Sequence, residues 1–385
     1  MTAHTSTRVR PGARWTPIVA LSFGIAMVVA SEFLPASVLP AVAADIGVSE
    51  GTAGLAVAAT AIAGAFTAPT IAMIVPRTDR RHVLVGLLVL ATISNVAVAV
   101  APNLAVLLVS RLLLGIALAG YWSFAFGAGL SAVPGRDNVV SAGLASGVSL
   151  ATVIGVPLAS IVGDAVGWRT AFAGAAALSA LSALVVARAL PPVPAHPSAG
   201  YRMMREAIAN RRLMAGILGV VLVAFGNFAA YPYIRIAIER IEPSATTWLL
   251  LLWGVGGVAG TIAAGYLARW LRVLTAAAAV LLAIGLIGTA IAGSLPVLTV
   301  AIVWWGVAMN TVPVATQLWV TRVEPERAES AMGLQVTAFQ VAITLGSASG
   351  GALLDGFGVR VPLVVGAVSA ACAALLWALV RIPRR

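Results

Sequence analysis

Lysine is absent: all 24 basic residues of this 385-residue chain are arginine. A phosphate-cradling loop of the G-x-x-x-x-G-K-[ST] type needs a lysine to reach the phosphates, so ATP hydrolysis through such a loop is excluded. Cysteine is nearly absent. Cys372 stands alone, so no disulfide can form within the chain and no cysteine-rich metal site exists. The three histidines, His4, His82 and His196, are far apart and fall near expected helix ends and loops, where they read as solvated surface groups. No H-E-x-x-H, G-x-S-x-G or paired acidic metal motif occurs, which leaves a membrane-embedded enzyme without a visible catalytic constellation. Charge is scarce too: 10% of residues carry it, against about 25% in soluble domains.

Apolar residues are abundant instead, at 61% of the chain. A soluble fold has no way to cover that much apolar surface, whereas lipid removes the need. Unbroken runs such as Val83–Val100 favour membrane helices over barrel strands, which alternate at period two. Twelve spans are expected, at 17–41, 52–75, 82–101, 103–127, 138–162, 168–189, 213–235, 246–268, 273–293, 296–319, 328–354 and 361–381. The organisation read from them is a tail (1–16), a six-helix bundle (17–189), a Pro-rich then basic linker (190–212), a second bundle (213–381) and a short tail (382–385). The first apolar run is too long for a cleaved signal peptide and has no suitable cleavage site.

The arginines divide unequally between the two membrane faces. Arg111 lies within a span; Arg169, Arg235, Arg240 and Arg360 fall on the side opposite the termini; the remaining 19 of 24 lie on the side of the termini. Cytoplasmic loops retain basic residues, so both termini are expected in the cytoplasm, in a multi-pass protein of the cell's inner (plasma) membrane. The net charge of +11 then belongs to a membrane face and not to a nucleic-acid surface. The stretch 61–69 also resembles 257–265, a weak sign that the two halves repeat.

A charge at the bilayer centre costs about 2.5–3.5 kcal/mol and needs a reason. Glu32 in the first span and Arg111 in the fourth both lie about 12 Å inside the face opposite the termini, from a rise of about 1.5 Å per residue. If those helices adjoin, the two can interact directly or through water, as a structural pair or as a proton site. Burial opposes an ionised carboxyl and a nearby guanidinium supports it, so conformation can tip the balance. Arg111, Gly115, Leu118 and Trp122 share one helix face, where Trp122 either stacks on a ligand or fills the core. Asn227, Tyr231 and Arg235 recur at every fourth position and form a polar stripe expected to face a cavity. Asn95 joins them as a candidate cavity residue, while Asn310, Gln317, Gln335 and Gln340 divide equally between structural and functional readings. Gly254-Val-Gly256-Gly-Val-Ala259 imitates a dinucleotide fingerprint but lies inside an apolar span, so it reads as helix packing. The small-residue pairs at 143/147, 256/260 and 346/350 read the same way.

Taken together, these residues resemble the twelve-span drug:proton antiporter group of the major facilitator superfamily, over nearly the whole chain. Glu32-Phe-Leu-Pro-Ala-Ser-Val-Leu-Pro40 and the following Ala-Val-Ala-Ala-Asp45-Ile-Gly-Val are similar to the group's T-E-F…L-L-P…A-x-D-L-G-V opening, with Ser31 for the usual Thr. Arg111-Leu-Leu-Leu-Gly115 resembles its fourth-helix R-x-x-x-G motif. Gly147-x7-Gly155-Val156-Pro157 resembles its fifth-helix antiporter motif, with Val156 inserted, and Gly167-Trp-Arg-Thr-Ala-Phe172 matches its G-W-R-x-x-F segment. The loop after the second helix departs from the usual G-x-x-x-D-x-x-G-R-[RK]: Ala72 and Pro76 replace the Gly and the gating Asp, while Arg77, Arg80 and Arg81 remain. That form is similar to the branch of sugar-, nucleoside- and chloramphenicol-efflux proteins. The resemblance implies an all-α membrane fold of two pseudo-symmetric six-helix bundles and alternating-access export of a drug, sugar or metabolite by proton antiport. It also implies a monomer in the lipid bilayer, with a proton gradient in place of any cofactor. Glu32 and Arg111 would couple protons, and Arg77, Arg80, Arg81, Gly115, Gly147, Gly155 and Pro157 would serve gating. A facilitated-uptake permease of the same fold is the rival reading. One acid among one or two cavity arginines favours a neutral or weakly charged substrate.

Overall fold

The computed structural model of the chain describes residues 15–134, 136–194, 208–324 and 328–380. The expected N-terminal tail up to 14, the middle of the linker (195–207) and the C-terminal tail lie outside the described residues, as do His4 and His196.

The described residues are almost wholly helical and form twelve long spans. The first is Thr16–Ile46, followed by a single turn, Glu50–Ala53, and the second, Leu55–Ile74. The third and fourth are Arg80–Ala99 and Leu104–Ala132. The fifth runs Asp137–Leu150, through a π-helical turn Ala151–Gly155, into Val156–Val166, and the sixth is Trp168–Ala189. The seventh breaks at a 3₁₀ turn, Tyr231–Tyr233, between Arg211–Ala230 and Ile234–Glu239. Thr246–Leu267, Leu271–Ile291, Leu295–Val323, Ala328–Phe357 and Arg360–Leu379 complete the set. Eleven helical segments are long and apolar enough to cross a membrane, and the longest, Pro243–Ile291, contains two of the spans. At about 1.5 Å per residue that segment is more than twice a bilayer's hydrocarbon thickness, and a 3₁₀ turn at Ala268–Trp270 divides it. The protein is therefore a multi-pass membrane protein.

Local chemistry sets the helix ends. Asn103, Asp79 and Asn210 cap the fourth, third and seventh spans, each side-chain oxygen accepting from a first-turn backbone N–H. The first span stops at Gly47, whose φ of 75° is the left-handed conformation that closes a helix.

The two halves repeat in their packing. The second span packs on the fourth, the third on the fourth and sixth, and the first on the fifth and sixth; adding six to each number gives the pairs of the second half. The seams between halves repeat as well, the second span against the eleventh and the eighth against the fifth. Lipid supplies no hydrophobic drive between helices, so close packing must. A Cβ on Gly115 would lie 2.1 Å from the Thr60 carbonyl, and one on Gly260 would lie 2.1 Å from that of Val307. The 143/147, 256/260 and 346/350 glycines all meet neighbouring helices in this way, as expected of packing residues.

Candidate functional site

The first span carries two internal prolines, Pro35 and Pro40, and loses helical geometry at Val38 (φ −124°, ψ 15°). Pro35 has no N–H to give the Ser31 carbonyl four residues back. Arg111 supplies that donor: its Nη1 donates to Ser31 O at 2.9 Å, its Nη2 to Glu32 O at 3.2 Å and its Nε to Ala56 O at 3.4 Å. The first and fourth spans therefore adjoin where Glu32 and Arg111 stand, but the guanidinium engages backbone carbonyls on two helices. Among the described residues, no hydrogen bond or ion pair reaches the Glu32 carboxyl. That carboxyl is nearly buried, and its electrostatic neighbours are Arg111 and, from the other half, Tyr231.

Beside Glu32 an aromatic group spans the two halves. The Phe33 ring lies 5.1 Å from Tyr231 and 6.3 Å from Trp253, both edge-on. Tyr231 lies 4.9 Å from Trp253 and 6.5 Å from Trp305, with Phe228 at 6.0 Å. Trp305 Nε1 donates to Asn227 Oδ1 at 2.7 Å. Asn227 Nδ2, the Tyr231 hydroxyl and Trp253 Nε1 are buried without a partner.

Two expected cavity residues lie elsewhere. Asn95 donates through Nδ2 to Ser31 Oγ at 2.8 Å and Ser179 Oγ at 3.4 Å, which joins the third, first and sixth spans inside the first half. Arg235 is an inter-half clamp. It bonds Asp164 Oδ1 (2.7 Å), Ser37 O (2.7 Å) and Ser160 Oγ (3.3 Å) across the interface and Glu239 Oε1 (2.6 Å) on its own helix. The 3₁₀ turn at Tyr231–Tyr233 explains this departure, because it breaks the every-fourth spacing that put Arg235 on the Asn227–Tyr231 face. Trp122 is 40% exposed although Arg111, Gly115 and Leu118 on its face are buried.

A second inter-half contact stands at the same end of the bundle, away from the termini. Asp355 accepts from Ser49 Oγ at 2.5 Å and from Gly51 N at 3.0 Å, and a Cβ on Gly51 would lie 2.2 Å from Gly351 O. At this end the two halves are closed on each other.

The loop arginines brace the first half. Arg80 donates from Nη1 to Val75 O at 2.7 Å and lies over the Phe124 ring, and Arg81 donates to Ala187 O. Gly147 and Gly155 let the fifth span approach the first at Ser22 and Ala30, and Pro157 follows the π turn.

Sequence reasoning missed Phe33, Trp253, Trp305, Asp164 and Asp355. Trp253 adjoins the glycine run already set aside as packing, and that reading holds for Gly254, whose Cβ would meet Thr152 O at 2.4 Å. A lone acid near a span end, as at Asp164 and Asp355, was the signal available for these contacts between halves.

The Major Facilitator Superfamily profile matches residues 21–346 and, in a second match, 217–385. The chain belongs to this superfamily. The "purine ribonucleoside efflux pump NepI" of Salmonella enteritidis (strain P125109) is 35% identical over 372 residues, covering 95% of this chain and 93% of the relative. The pump of the same name from Salmonella typhimurium is 35% identical over 357 residues, covering 91% and 90%. A bacterial homologue of the human lysosomal transporter Spinster, solved inward-facing and unoccupied, superposes with a TM-score of 0.77 at 16% identity over 97% of this chain and 98% of that one. The human organic anion transporter MFSD10 superposes at 0.69 and 18% identity. Relatives and fold are those of superfamily transporters and not of enzymes: the protein is a secondary transporter of a small molecule.

Proposed function

We propose that this protein exports a neutral or weakly charged small molecule in exchange for protons, with Glu32 carrying the coupling proton. The observation that supports this is the setting of Glu32, a carboxyl deep in a span, braced through its backbone by Arg111 and facing Tyr231 of the other half. An ionisable group at such a depth needs a function to offset its cost. A group at the seam between halves experiences a different environment when the halves rock, which is what a proton carrier requires. The efflux relatives make purine ribonucleosides the first class to try. The Arg distribution supports cytoplasmic termini in the inner membrane, which puts the closed end of the bundle outside. In alternating access, the Arg235–Asp164 and Asp355–Ser49 contacts then break as the outer side opens.

The test is Glu32→Gln, which keeps the shape and removes titration. In inverted vesicles with an imposed pH gradient, wild type should accumulate labelled inosine or guanosine uphill. The variant should lose gradient-driven accumulation while retaining equilibrium exchange. Full uphill accumulation by Glu32→Gln would refute proton carriage by this residue, and gradient-independent equilibration by wild type would favour the permease reading.

A further inference from the structure

Three polar groups around Tyr231 share a property that the proposed function does not use. Trp253 Nε1 is a donor only. Asn227 can orient in one way only, because its Oδ1 accepts from Trp305 Nε1, itself a donor only, at 2.7 Å. That leaves the Asn227 amide nitrogen, with two hydrogens, as the free end. The Tyr231 hydroxyl is the third group. All three are buried, and none meets an acceptor of the protein. Native structures rarely leave buried donors unpaired, and a cluster of them calls for an explanation. They belong to the seventh and eighth spans, beside Phe33 and Glu32 of the first, within a cluster of rings packed on one another, and aromatic rings of this kind can also pack on a planar molecule.

We infer that Trp253, with Tyr231 and Asn227, forms a hydrogen-bond-donating recognition face that selects planar, uncharged substrates bearing carbonyl, ring-nitrogen or hydroxyl acceptors. Trp305 is the positioning residue that holds Asn227 as a donor. An ammonium or other permanent cation has hydrogens to give and no lone pair to receive, so on this face it leaves the donors unmatched. A site built to hydrogen-bond a ligand discriminates strongly against one that lacks the complementary group, because buried polar groups are then left unpaired. Glu32 can accept through a carboxyl oxygen in either protonation state and gains an O–H donor when protonated, whereas the aromatic and amide donors stay donors whatever the proton does. The inference rests on the proposed transport of neutral substrates, and it concerns binding and not coupling.

Equilibrium binding to the purified full-length protein, with no gradient, separates the two. The probes are inosine, guanosine and chloramphenicol as neutral acceptor-bearing molecules, and ethidium as a planar cation of comparable size. Wild type should bind at least one neutral probe more tightly than ethidium. Trp253→Phe and Tyr231→Phe keep a ring and delete one donor each; both should weaken the neutral probe by tenfold or more and change ethidium by less than twofold. Trp305→Phe leaves the three donors in place but frees the Asn227 amide to turn its oxygen toward the ligand, so it should narrow the preference for neutral over cationic probe by at least fivefold. A purely structural tryptophan would lower both affinities together. Ethidium bound more tightly than every neutral probe, neutral affinities unchanged within twofold in both donor variants, or parallel loss of both probe types would overturn the inference. Loss of uphill transport in Glu32→Gln with this selectivity intact would leave the donor face standing, and a wild type lacking pH-driven transport yet showing the selectivity would remove only the coupling.

Discussion

The surroundings of Arg111 in the first half and of Tyr231 in the second handle polar groups in different ways. In the first, Arg111 donates to three backbone carbonyls and Asn95 bridges two serines. In the second, Asn227, Tyr231 and Trp253 keep a donor free each, within a shell of aromatic rings. The packing of the two halves repeats pair for pair, so the contrast comes from side chains and not from topology. Both halves leave single buried polar atoms unpaired, Asn95 Oδ1 and Ser182 Oγ in the first and Gln335 Oε1 and Ser347 Oγ in the second, so what distinguishes the surroundings of Tyr231 is that three such groups belong to one aromatic cluster.

Substitutions that remove polar groups should therefore act differently at these two sites. Arg111→Lys should have the largest effect. Lysine keeps the charge but replaces a fork that reaches carbonyls on two helices with one point donor, and the Ser31 carbonyl above Pro35 loses its partner. A loss of about 2 kcal/mol is expected from the charged hydrogen bonds broken, read as a lower melting temperature in detergent, together with loss of pH-driven accumulation. Wild-type melting in Arg111→Lys would break the comparison at its strongest point. Asn95→Ala should cost about 1 kcal/mol, since hydrogen bonds between membrane helices average about 0.6 kcal/mol each; substrate selectivity, measured by competition, should not move.

Asp164→Asn weakens the clamp between halves rather than either interior. Arg235 is 13% exposed but Asp164 is 50% exposed, so solvent screening limits the effect to a few tenths of a kcal/mol, up to about 1. The expected outcome is a few-fold rise in thiol labelling of a cysteine placed at position 37, with little change in melting. Smallest of all, Tyr231→Phe should leave melting unchanged or raise it slightly, because its hydroxyl has no partner to lose. A melting loss like that of Asn95→Ala would show that the second half is braced in the same way as the first.

Much of the architecture could be read from residue order. The spans expected at 82–101 and 273–293 are observed at Arg80–Ala99 and Leu271–Ile291, because hydrophobic length against a fixed bilayer thickness leaves little freedom. The first span expected to end at 41 runs to Ile46, since Pro40 kinks the helix without ending it. The weak 61–69 and 257–265 similarity agrees with the repeat in packing, though matching glycines do not take matching contacts. A Cβ on Gly64 would meet Gln340 of the eleventh span, whereas one on Gly260 would meet Val307 of the tenth.

The candidate site divides along the same line. Composition and hydrophobic run length were enough for a multi-pass membrane protein, and the meeting of Arg111 with the Glu32 segment was foreseeable from counting residues, because a membrane helix is one-dimensional at a fixed rise. Which partners those side chains take was decided by packing. Pro35 releases a carbonyl that only a neighbouring helix can answer, and Arg111 is the neighbour. The 3₁₀ turn at Tyr231–Tyr233 turns Arg235 toward Asp164 of the other half, against the helical period that had grouped it with Asn227. Trp253 and Trp305 join Tyr231 from spans far apart in the chain. A donor's being free or bonded depends on what lies across the gap between helices, and no local pattern of residues encodes that.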